Sequence, residues 1–475
     1  MAVKLFMQSV LGASHISKNT PCEDFGLKAE GGEGKYKVFA TADGHGDKNC
    51  TRSRIGSRLV CEIARDALLN FAECIEGENG IDALLTSKKE GDMRCRTLAT
   101  YIAGKWIEAV SEELEQNPIT DEELASATEY GAEYQRGIRV ERMYGTTLMA
   151  GLLTDRYLLL LHQGDGRIVV FGGDGKAYQP VPWDDRCVGT ATTSMCDPDA
   201  AQSFRYTVIS LEETPVIACV AGSDGVEDSF PSSMEKTHSY YRDLLAYACN
   251  NGVEALEEYL KEELSTLSKE RSQDDVTVSG FVDIDKITPF LDSFKEQNRT
   301  VDIEDEVAVW EERVLSVESG GKFTHLKEKM ENAKAAYEDI RAKYLALDKE
   351  CKALTEEIER KKNDVDLNSG EVDTALNKAM ENASDEEKGF LGKVFESFKS
   401  LVPTGVSKED VIRSLEKKKA QRVRELNFLT AELDNRREAL LEAEKEFAPV
   451  LERYEGYKQK RDEAKRRLTE LGNIS

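Results

Sequence analysis

The sequence lacks any apolar stretch long enough to cross a membrane. No run approaches the roughly 18 consecutive apolar residues of a transmembrane helix. The opening residues 1–14 hold one lysine and a short apolar run that Gln8 and Ser9 interrupt, which is typical of a first strand rather than of a signal peptide. These absences predict a cytoplasmic protein with no membrane span.

The sequence also lacks cysteines arranged to bind zinc. Its ten cysteines include no C-x-x-C motif, and none stands at zinc-ligand spacing from one of the five histidines. They are scattered among apolar residues, which is typical of reduced, buried thiols in the cytoplasm. The cysteines are therefore expected to be reduced and to carry no zinc.

The sequence has fewer basic than acidic residues. The 475 residues carry 64 lysines and arginines against 90 aspartates and glutamates, a formal net charge of −26. So acidic a chain is not expected to have nucleic acid or an anionic membrane as its main partner. The length predicts two or three domains, and a charged fraction of 32%, above the usual value of about a quarter, indicates long exposed helices or a highly charged surface.

Residues 1–285 have the pattern of an α+β domain. Runs rich in β-branched and aromatic residues predict strands at 37–41, 147–154, 156–163, 167–172, 206–210, 216–221 and 276–282. Helices are predicted between them, at 56–71, 97–116, 238–249 and 252–267. Hairpin-like breaks between the strands favour antiparallel sheets flanked by helices. The polar, acidic segment 111–142 is interpreted as an insertion or a mobile cover.

The pattern changes beyond residue 290. Apolar residues recur at alternating steps of three and four through 323–365 and again through 412–471, a heptad repeat typical of a long α-helical coiled coil. Two such helices most simply form an antiparallel hairpin, and a parallel dimer through one or both helices is the alternative. The predicted organisation is a domain at 1–285, a linker with a short helix at 286–322, and a coiled-coil hairpin at 323–475 with a connector at 366–411.

The connector contains one amphipathic segment, at 390–402. Its apolar side chains, which include Phe390 and Phe398, fall on one face of a short helix that ends at Pro403 and Gly405. Three interpretations are open for this face: a cap on the end of the hairpin, a docking face for a partner protein, or contact with a membrane surface.

Three aspartates in the first domain share one construction, in which a predicted strand ends and Asp-Gly follows. The pairs are Asp43-Gly44, Asp165-Gly166 and Asp224-Gly225. Each carboxylate is thereby held at a strand tip, where glycine allows backbone or substrate to approach closely. Mg²⁺ and Mn²⁺ prefer oxygen ligands, so several such tips at one end of a sheet predict a site for two divalent ions. A single Asp-Gly is a weak signal, since it is also a common turn.

The order of the acidic motifs strengthens this interpretation. Their succession resembles that of the metal-dependent protein phosphatases of type 2C, and the opening segment 12–24 is most similar to a bacterial branch of that family. The motifs that carry the resemblance are Glu23-Asp24, Ala42-Asp43-Gly44-His45-Gly46, Gly145-Thr146-Thr147, Gly164-Asp165, Ser223-Asp224-Gly225-Val226 and Asp274-Asp275-Val276-Thr277. The resemblance covers residues 8–285 and implies a β-sandwich flanked by helices, with metal ions at one end.

The resemblance also implies roles for single residues. Asp43 would bridge two Mn²⁺ or Mg²⁺ ions, and the carbonyl of Gly44 would join the second. Glu23 would reach one ion directly or through water. Asp224 and Asp275 would bind the other ion.

Three further positions complete the site that the resemblance implies. Asp24 would support a metal-bound water, and Asp165 would help to hold a third, weaker ion. The bridging water would attack phosphorus in line. His45 would then protonate the leaving seryl or threonyl oxygen as general acid.

One position departs from the family pattern. Many members place an arginine four residues before the metal-binding glutamate, where it binds the substrate phosphate, and this chain has Asn19 there. Lys18, Arg52 and Arg54 are candidate substitutes, and the sequence does not choose among them. The residue that binds the phosphate is therefore left open.

Taken together, the motifs predict a cytoplasmic protein serine/threonine phosphatase with a coiled coil for partner docking or regulation in signalling. A phosphorylated protein is the expected substrate, an opposing protein kinase is a companion by resemblance only, and the coiled coil would join a second copy or a partner protein. Two alternatives are a pseudophosphatase or scaffold that acts through the coiled coil, and a phosphatase of a small phosphorylated metabolite. Carboxylates at five separate turns count against the scaffold, which has no need of them.

Overall fold

The computed structural model describes residues 3–77, 80–189, 191–230, 233–363, 378 and 407–472. The chain divides into two units, one formed by Met1–Glu306 with Arg467–Ser475 and the other by Val307–Arg466. Within the described ranges, all strands belong to the first unit, and the second is helical.

Two five-stranded antiparallel sheets form the centre of the first unit. In chain order the strands are β1 (Val3–Val10), β2 (Phe25–Gly31), β3 (Tyr36–Ala42), β4 (Leu148–Leu153), β5 (Tyr157–Gln163), β6 (Arg167–Gly172), β7 (Ala177–Tyr178), β8 (Arg205–Ser210), β9 (Val216–Gly222) and β10 (Val276–Asp283). One sheet has the order β1-β10-β9-β6-β7 and the other the order β2-β3-β4-β5-β8. The predicted antiparallel sandwich is confirmed.

The two sheets face each other across an apolar core. Phe39 of β3 and Phe281 of β10 meet there with their ring centroids 6.3 Å apart, and Leu160 and Val170 are fully buried in the same cluster. Every residue of β4, β5, β9 and β10 is buried, because helices cover the outer faces of the sheets. Strands buried on both faces can be apolar along their whole length, as β4 (LMAGLL) is. In β10 the buried polar residues Thr277 and Ser279 alternate with valines and form side-chain hydrogen bonds with Ser9 and Thr41.

Helices cover both outer faces, as predicted. The α-helices described in the two units are, in chain order, α1 (Ala13–Lys18), α2 (Ser53–Gly77), α3 (Ile81–Thr86), α4 (Lys88–Gln116), α5 (Asp121–Ser126), α6 (Gly131–Tyr134), α7 (Ala200–Ser203), α8 (Asp224–Glu227), α9 (Met234–Asn251), α10 (Val253–Leu267), α11 (Ile284–Ile287), α12 (Leu291–Ser319), α13 (Gly321–Asn363) and α14 (Lys408–Gly472). Helices α2 and α4 pack on one sheet through residues such as Leu68 and Trp106. Helices α9 and α10 pack on the other sheet through residues such as Leu245 and Leu260.

The second unit contains the long helices of the C-terminal region. Helices α13 and α14 run antiparallel, because Lys329 pairs with Glu446 at 2.8 Å and, further along α13, Lys362 pairs with Glu416 at 3.0 Å. The buried residues of the two helices belong to the apolar series of the sequence: Leu326, Ile340, Cys351, Leu354, Ile358, Leu415, Ala443, Phe447 and Ala464.

The interval 286–322 differs from its prediction as a linker with a short helix. It contains the 29 residues of helix α12, Leu291–Ser319. The physical reason is visible in the sequence, since neither glycine nor proline occurs between Pro289 and Gly320. Phe294, at the start of this helix, is 1% exposed and packs against Phe171 with ring centroids 5.7 Å apart.

The apolar face predicted at 390–402 lies outside the described residues. Of the helices that the structure does describe, none is long and apolar enough to cross a membrane.

Candidate active site

The acidic motifs lie at one end of the sandwich. Asp24 precedes β2, Asp43 follows β3, and Asp165 lies between β5 and β6. Asp224 follows β9, and Asp275 precedes β10. The antiparallel registers of β2 with β3, β3 with β4, β4 with β5, and β9 with both β6 and β10 place these strand ends together. One end of the fold therefore collects carboxylates from five places in the sequence.

Three of these carboxylates form a compact cluster. Asp43, Asp165 and Asp224 each offer an oxygen atom, and the three atoms lie within 4.8 Å of one another. Asp24, next to them, is 5% exposed, and its Oδ2 atom has no hydrogen-bond partner among the described residues. Buried carboxylate oxygens without partners are costly unless a cation binds them. The donor set is all oxygen and so fits a hard divalent ion such as Mn²⁺ or Mg²⁺.

The electrostatics of the cluster support the same conclusion. Burial raises the pKa of Asp43, and the charge of Asp224 raises it further. Burial likewise raises the pKa of Asp24, with an added contribution from Asp275. Carboxylates crowded together away from water disfavour their own ionised forms. A divalent cation would reverse this effect by supplying the opposite charge.

Glu23 lies beside the cluster and not within it. Its Oε1 atom accepts a hydrogen bond from Ser53 Oγ at 3.0 Å, and burial raises its pKa to about 7. Gly44 contacts the same loop closely, since a Cβ atom at Gly44 would lie 2.6 Å from the carbonyl oxygen of Glu23. Glycine is therefore required at position 44 by the approach of two loops.

Asp275, which was predicted to bind a metal ion, has its carboxylate oxygens surrounded by hydrogen-bond donors of the protein. It is 3% exposed, and its Oδ1 atom accepts a hydrogen bond from the backbone of Gly12 at 2.6 Å. Its Oδ2 atom accepts from the backbone of Glu23 at 2.6 Å and of Asp24 at 3.4 Å. His15 Nδ1 lies 3.0 Å from Oδ1. The carboxylate therefore holds two loops together, and its oxygens are already occupied.

Two further acidic residues act electrostatically on the cluster: Asp274, to which the sequence analysis gave no role, and Asp228, which it did not name. Asp274 is exposed, and its charge contributes to the raised pKa values of Asp224 and Asp228. Asp228 lies four residues after Asp224, and its pKa is raised by burial and by the charges of Glu227, Asp274 and Asp165. The spacing of four residues at the start of a helix was a signal for Asp228, since it places two carboxylates on one face.

His45 is held by a hydroxyl group. Its Nε2 atom lies 2.8 Å from Ser194 Oγ, and its backbone N–H donates to the carbonyl of Gly145 at 3.1 Å. Burial, and after it the charge of Arg142, lowers the pKa of His45 to about 4. At pH 7 such an imidazole is protonated in only about one molecule in a thousand. This low pKa works against the predicted general-acid role, which stays a prediction.

Arg52 is excluded as the residue that binds the substrate phosphate. Its side chain is 6% exposed, and its guanidinium group bonds Glu123 at 2.6 and 2.8 Å and Glu113 at 3.1 Å. The same group donates to the carbonyls of Asn117 and Pro118. These contacts also pack the segment 111–142 on the domain through a buried cation, so of the two expectations for this segment, an insertion or a mobile cover, the mobile cover is not supported.

Comparison with known protein families finds one whose model matches this chain. The model of the family described as Protein phosphatase 2C matches residues 11–265, more than half of the 475 residues. No curated protein matches the chain.

The chain is also similar, at low identity, to solved structures of bacterial proteins. The serine/threonine phosphatase Stp1 from Staphylococcus aureus is 14% identical over 59% of this chain and 95% of its own, with a TM-score of 0.37. The serine/threonine phosphatase of S. agalactiae is 14% identical over 59% of this chain and 99% of its own, with a TM-score of 0.34. PppA of Pseudomonas aeruginosa, described as a key regulatory component of T6SS, is 14% identical over 59% and 98%, with a TM-score of 0.35.

The family match covers strands β2 to β9 and the loops that carry Asp24, Asp43, Asp165 and Asp224. Metal-dependent catalysis is general in this family, and the half-buried cluster of carboxylate oxygens is consistent with it. The chain therefore belongs to the protein phosphatase 2C family and is a protein serine/threonine phosphatase.

Proposed function

We propose that the first unit hydrolyses phosphoserine and phosphothreonine in proteins, with two Mn²⁺ or Mg²⁺ ions held at the acidic end of the sandwich. The observation that carries this proposal is the cluster of Asp43, Asp165 and Asp224, whose oxygen atoms lie within 4.8 Å of one another. Asp43 follows a strand of one sheet, Asp224 follows a strand of the other, and Asp165 lies in the loop that joins the two sheets, so the site needs the folded sandwich. When bound, the ions supply Lewis acidity, which lowers the pKa of water and offsets charge on the phosphoryl group.

The proposed ligand set follows the geometry and departs from the sequence prediction at one place. Asp43 and Asp224 are the central ligands, with Asp24 beside them and Asp165 toward a third ion. Asp274 takes the position that was predicted for Asp275, because the Asp275 oxygens already accept three backbone N–H groups.

The two other predicted ligands, Glu23 and the carbonyl of Gly44, lie in adjacent loops. Glu23 and the carbonyl of Gly44 complete the oxygen set, and the close contact between their backbones keeps the two loops at a fixed separation. Asp228 joins Asp165 near the third ion, since the charge of Asp165 contributes to the raised pKa of Asp228.

No protein nucleophile is needed in this proposal. Ser223, next to Asp224, already accepts a hydrogen bond from the backbone of Thr277 at 3.0 Å. Its hydroxyl therefore fixes the turn before α8. His45, held by Ser194, is proposed to donate a proton or a hydrogen bond to the leaving oxygen.

The proposal predicts that activity depends on added divalent metal. The full-length protein should hydrolyse a phosphothreonine peptide with Mn²⁺ and lose this activity with a chelator, and excess Mn²⁺ should restore it. Mn²⁺ should also raise the midpoint of thermal unfolding, because it relieves repulsion among buried carboxylates. Hydrolysis that resists the chelator would contradict the metal mechanism. Hydrolysis of an aryl phosphate without the peptide would favour a metabolite phosphatase, and metal binding without any hydrolysis would favour a scaffold.

We further propose that α13 and α14 form an intramolecular antiparallel coiled coil that docks a partner protein or regulates the phosphatase. The ion pair of Lys329 with Glu446 and the ring contact of Phe323 with Phe447, whose centroids are 5.5 Å apart, support pairing within one chain. Light scattering should give a mass near the 53.1 kDa of one chain. Twice that mass would support the parallel dimer instead. The opposing kinase and the role in signalling rest on the family resemblance, whereas the cytoplasmic location rests on the sequence pattern of the cysteines and of the first residues.

A further inference from the structure

The loop that carries Asp43 and His45 is bonded to a short 3₁₀ helix, Val140–Tyr144. The backbone N–H of His45 donates to the carbonyl of Gly145 at 3.1 Å, and the N–H of Gly145 donates to the carbonyl of Arg142 at 3.1 Å. A Cβ atom at Gly145 would lie 2.7 Å from Cδ2 of His45. Two successive backbone hydrogen bonds therefore connect Arg142, through Gly145, to the loop that carries Asp43 and His45.

The side chain of Arg142 rests on an aromatic support. Its guanidinium carbon lies 4.4 Å from the ring centroid of Tyr130, and Tyr130 stacks on Tyr134 with centroids 6.1 Å apart. Tyr134 donates its hydroxyl to the carbonyl of Asn49 at 3.0 Å, and Asn49 Oδ1 accepts from the backbone of Glu129 at 3.2 Å. Since Asn49 follows the Asp43 loop directly, this support is tied to the loop.

Arg142 is exposed, and among the residues that the structure describes no carboxylate forms an ion pair with it. Arg52 differs, since it is bound to Glu113 and Glu123, and Arg139 lies 3.7 Å from Glu133. The guanidinium group of Arg142 therefore carries a positive charge that no carboxylate of the described residues neutralises.

The contact with the Tyr130 ring leaves the N–H donors of Arg142 available to bind an anion. A ring contacts the flat face of a guanidinium group, whereas the five N–H donors point outward in its plane. That planar edge matches two oxygens of a phosphate. Tyr130 therefore limits the motion of Arg142 without using its hydrogen-bond donors.

We propose that Arg142 binds the phosphoryl oxygens of the substrate and supplies the charge that Asn19 does not. This inference rests on the proposed function, because it assumes that the phosphate lies at the acidic end of the sandwich. The physical need is general: a phosphate dianion that approaches several carboxylates requires positive charge in addition to the metal ions.

The test is inhibition by inorganic phosphate, measured on the full-length protein with Mn²⁺ and an aryl phosphate substrate. Arg142→Gln should raise the phosphate inhibition constant about ten- to a hundredfold, the size expected for a lost charge-assisted contact, with a similar rise in KM. Arg142→Lys should recover part of this loss, because it keeps the charge and loses the planar edge. Tyr130→Leu should give an intermediate rise, because Arg142 is present but less ordered.

Arg139→Gln is the matched control, since Arg139 lies in the same segment and has Glu133 as its partner. It should leave the phosphate constant unchanged. Arg54→Gln and Lys18→Gln test the other candidate cations, and an effect of either in place of Arg142→Gln would overturn the inference. A change in thermal midpoint without a change in the phosphate constant would show a merely structural role and would also overturn it.

The result also separates this inference from the proposed function. If the wild type hydrolyses phosphate esters and Arg142→Gln binds phosphate as the wild type does, only the role of Arg142 fails. If the wild type hydrolyses nothing, phosphate binding is measured by calorimetry with Mn²⁺. Weaker binding in Arg142→Gln would then support the phosphate site although the proposed function had failed, and equal binding would overturn both.

Discussion

Asp43→Asn should lower kcat/KM by on the order of a thousandfold or more, with both a phosphothreonine peptide and an aryl phosphate, since even one lost oxyanion-hole donor costs about 10²- to 10³-fold. Asp43 shares the half-buried cluster with Asp165 and Asp224. An amide keeps the shape of the side chain and removes the charge that holds a cation. Asp224→Asn should have a comparable effect. Steady-state rates at saturating Mn²⁺ give the measurement.

Two comparisons make this result specific. Asp155→Asn is the matched control, because Asp155 is an exposed turn aspartate at the opposite end of β4 and should leave the rate unchanged. His45→Gln separates proton transfer from metal binding. A general acid matters for a seryl or threonyl leaving group and hardly for nitrophenolate, so this variant should lose about 10²- to 10⁴-fold on the peptide only. Full activity of Asp43→Asn and Asp224→Asn would disprove the two-metal mechanism.

Substitution of Asp275 should mainly lower the stability of the protein, whereas substitution of its neighbour Asp274 should mainly lower the activity. Asp275→Ala should lower the free energy of unfolding by about 3 kcal/mol or more, because it leaves buried N–H donors of Gly12 and Glu23 without an acceptor, at about 1–3 kcal/mol each. Asp274→Asn should change stability by no more than about 0.5 kcal/mol, since the residue is exposed. It should nevertheless lower activity strongly, because it removes a proposed metal ligand.

Urea unfolding with a chelator present measures these stabilities, so that lost metal binding does not imitate lost hydrogen bonds. Activity is then measured with Mn²⁺ below the unfolding transition. The reverse pattern, with a stable and inactive Asp275→Ala beside an active Asp274→Asn, would return the metal-ligand role to Asp275. Similar losses of stability in both variants would contradict the separate roles.

The sheets, the covering helices and the position of the site could be predicted because they depend on local patterns. Strand tips followed by Asp-Gly are visible in the sequence, and the end of the sandwich at which they meet follows from antiparallel pairing. The proposed exchange of Asp274 for Asp275 as a metal ligand could not be predicted in this way. Adjacent residues of an extended segment point in opposite directions, and only the packed structure decides which one faces the site.

Distant partners account for the other differences. Arg52 looked available in the sequence because Glu113 and Glu123 are 61 and 71 positions away. The same pairing holds the segment 111–142 on the domain, so its polar composition was misleading as a sign of mobility. Helix α12 was predicted too short, because its apolar residues are sparse, although no helix-breaking residue interrupts it.

The pairing of the first and last strands has a consequence for biosynthesis. All eight residues of β1 pair with β10, and Asp275 reaches back across 263 positions to the backbone of Gly12. A nascent chain that has not yet released β10 from the ribosome lacks both the neighbour of β1 and the group that fixes the Glu23–Asp24 loop. Such long-range closure slows folding. The Glu23–Asp24 loop therefore gains the acceptor that fixes it only after Asp275 has been made, so we expect the acidic end of the sandwich to be completed late in synthesis.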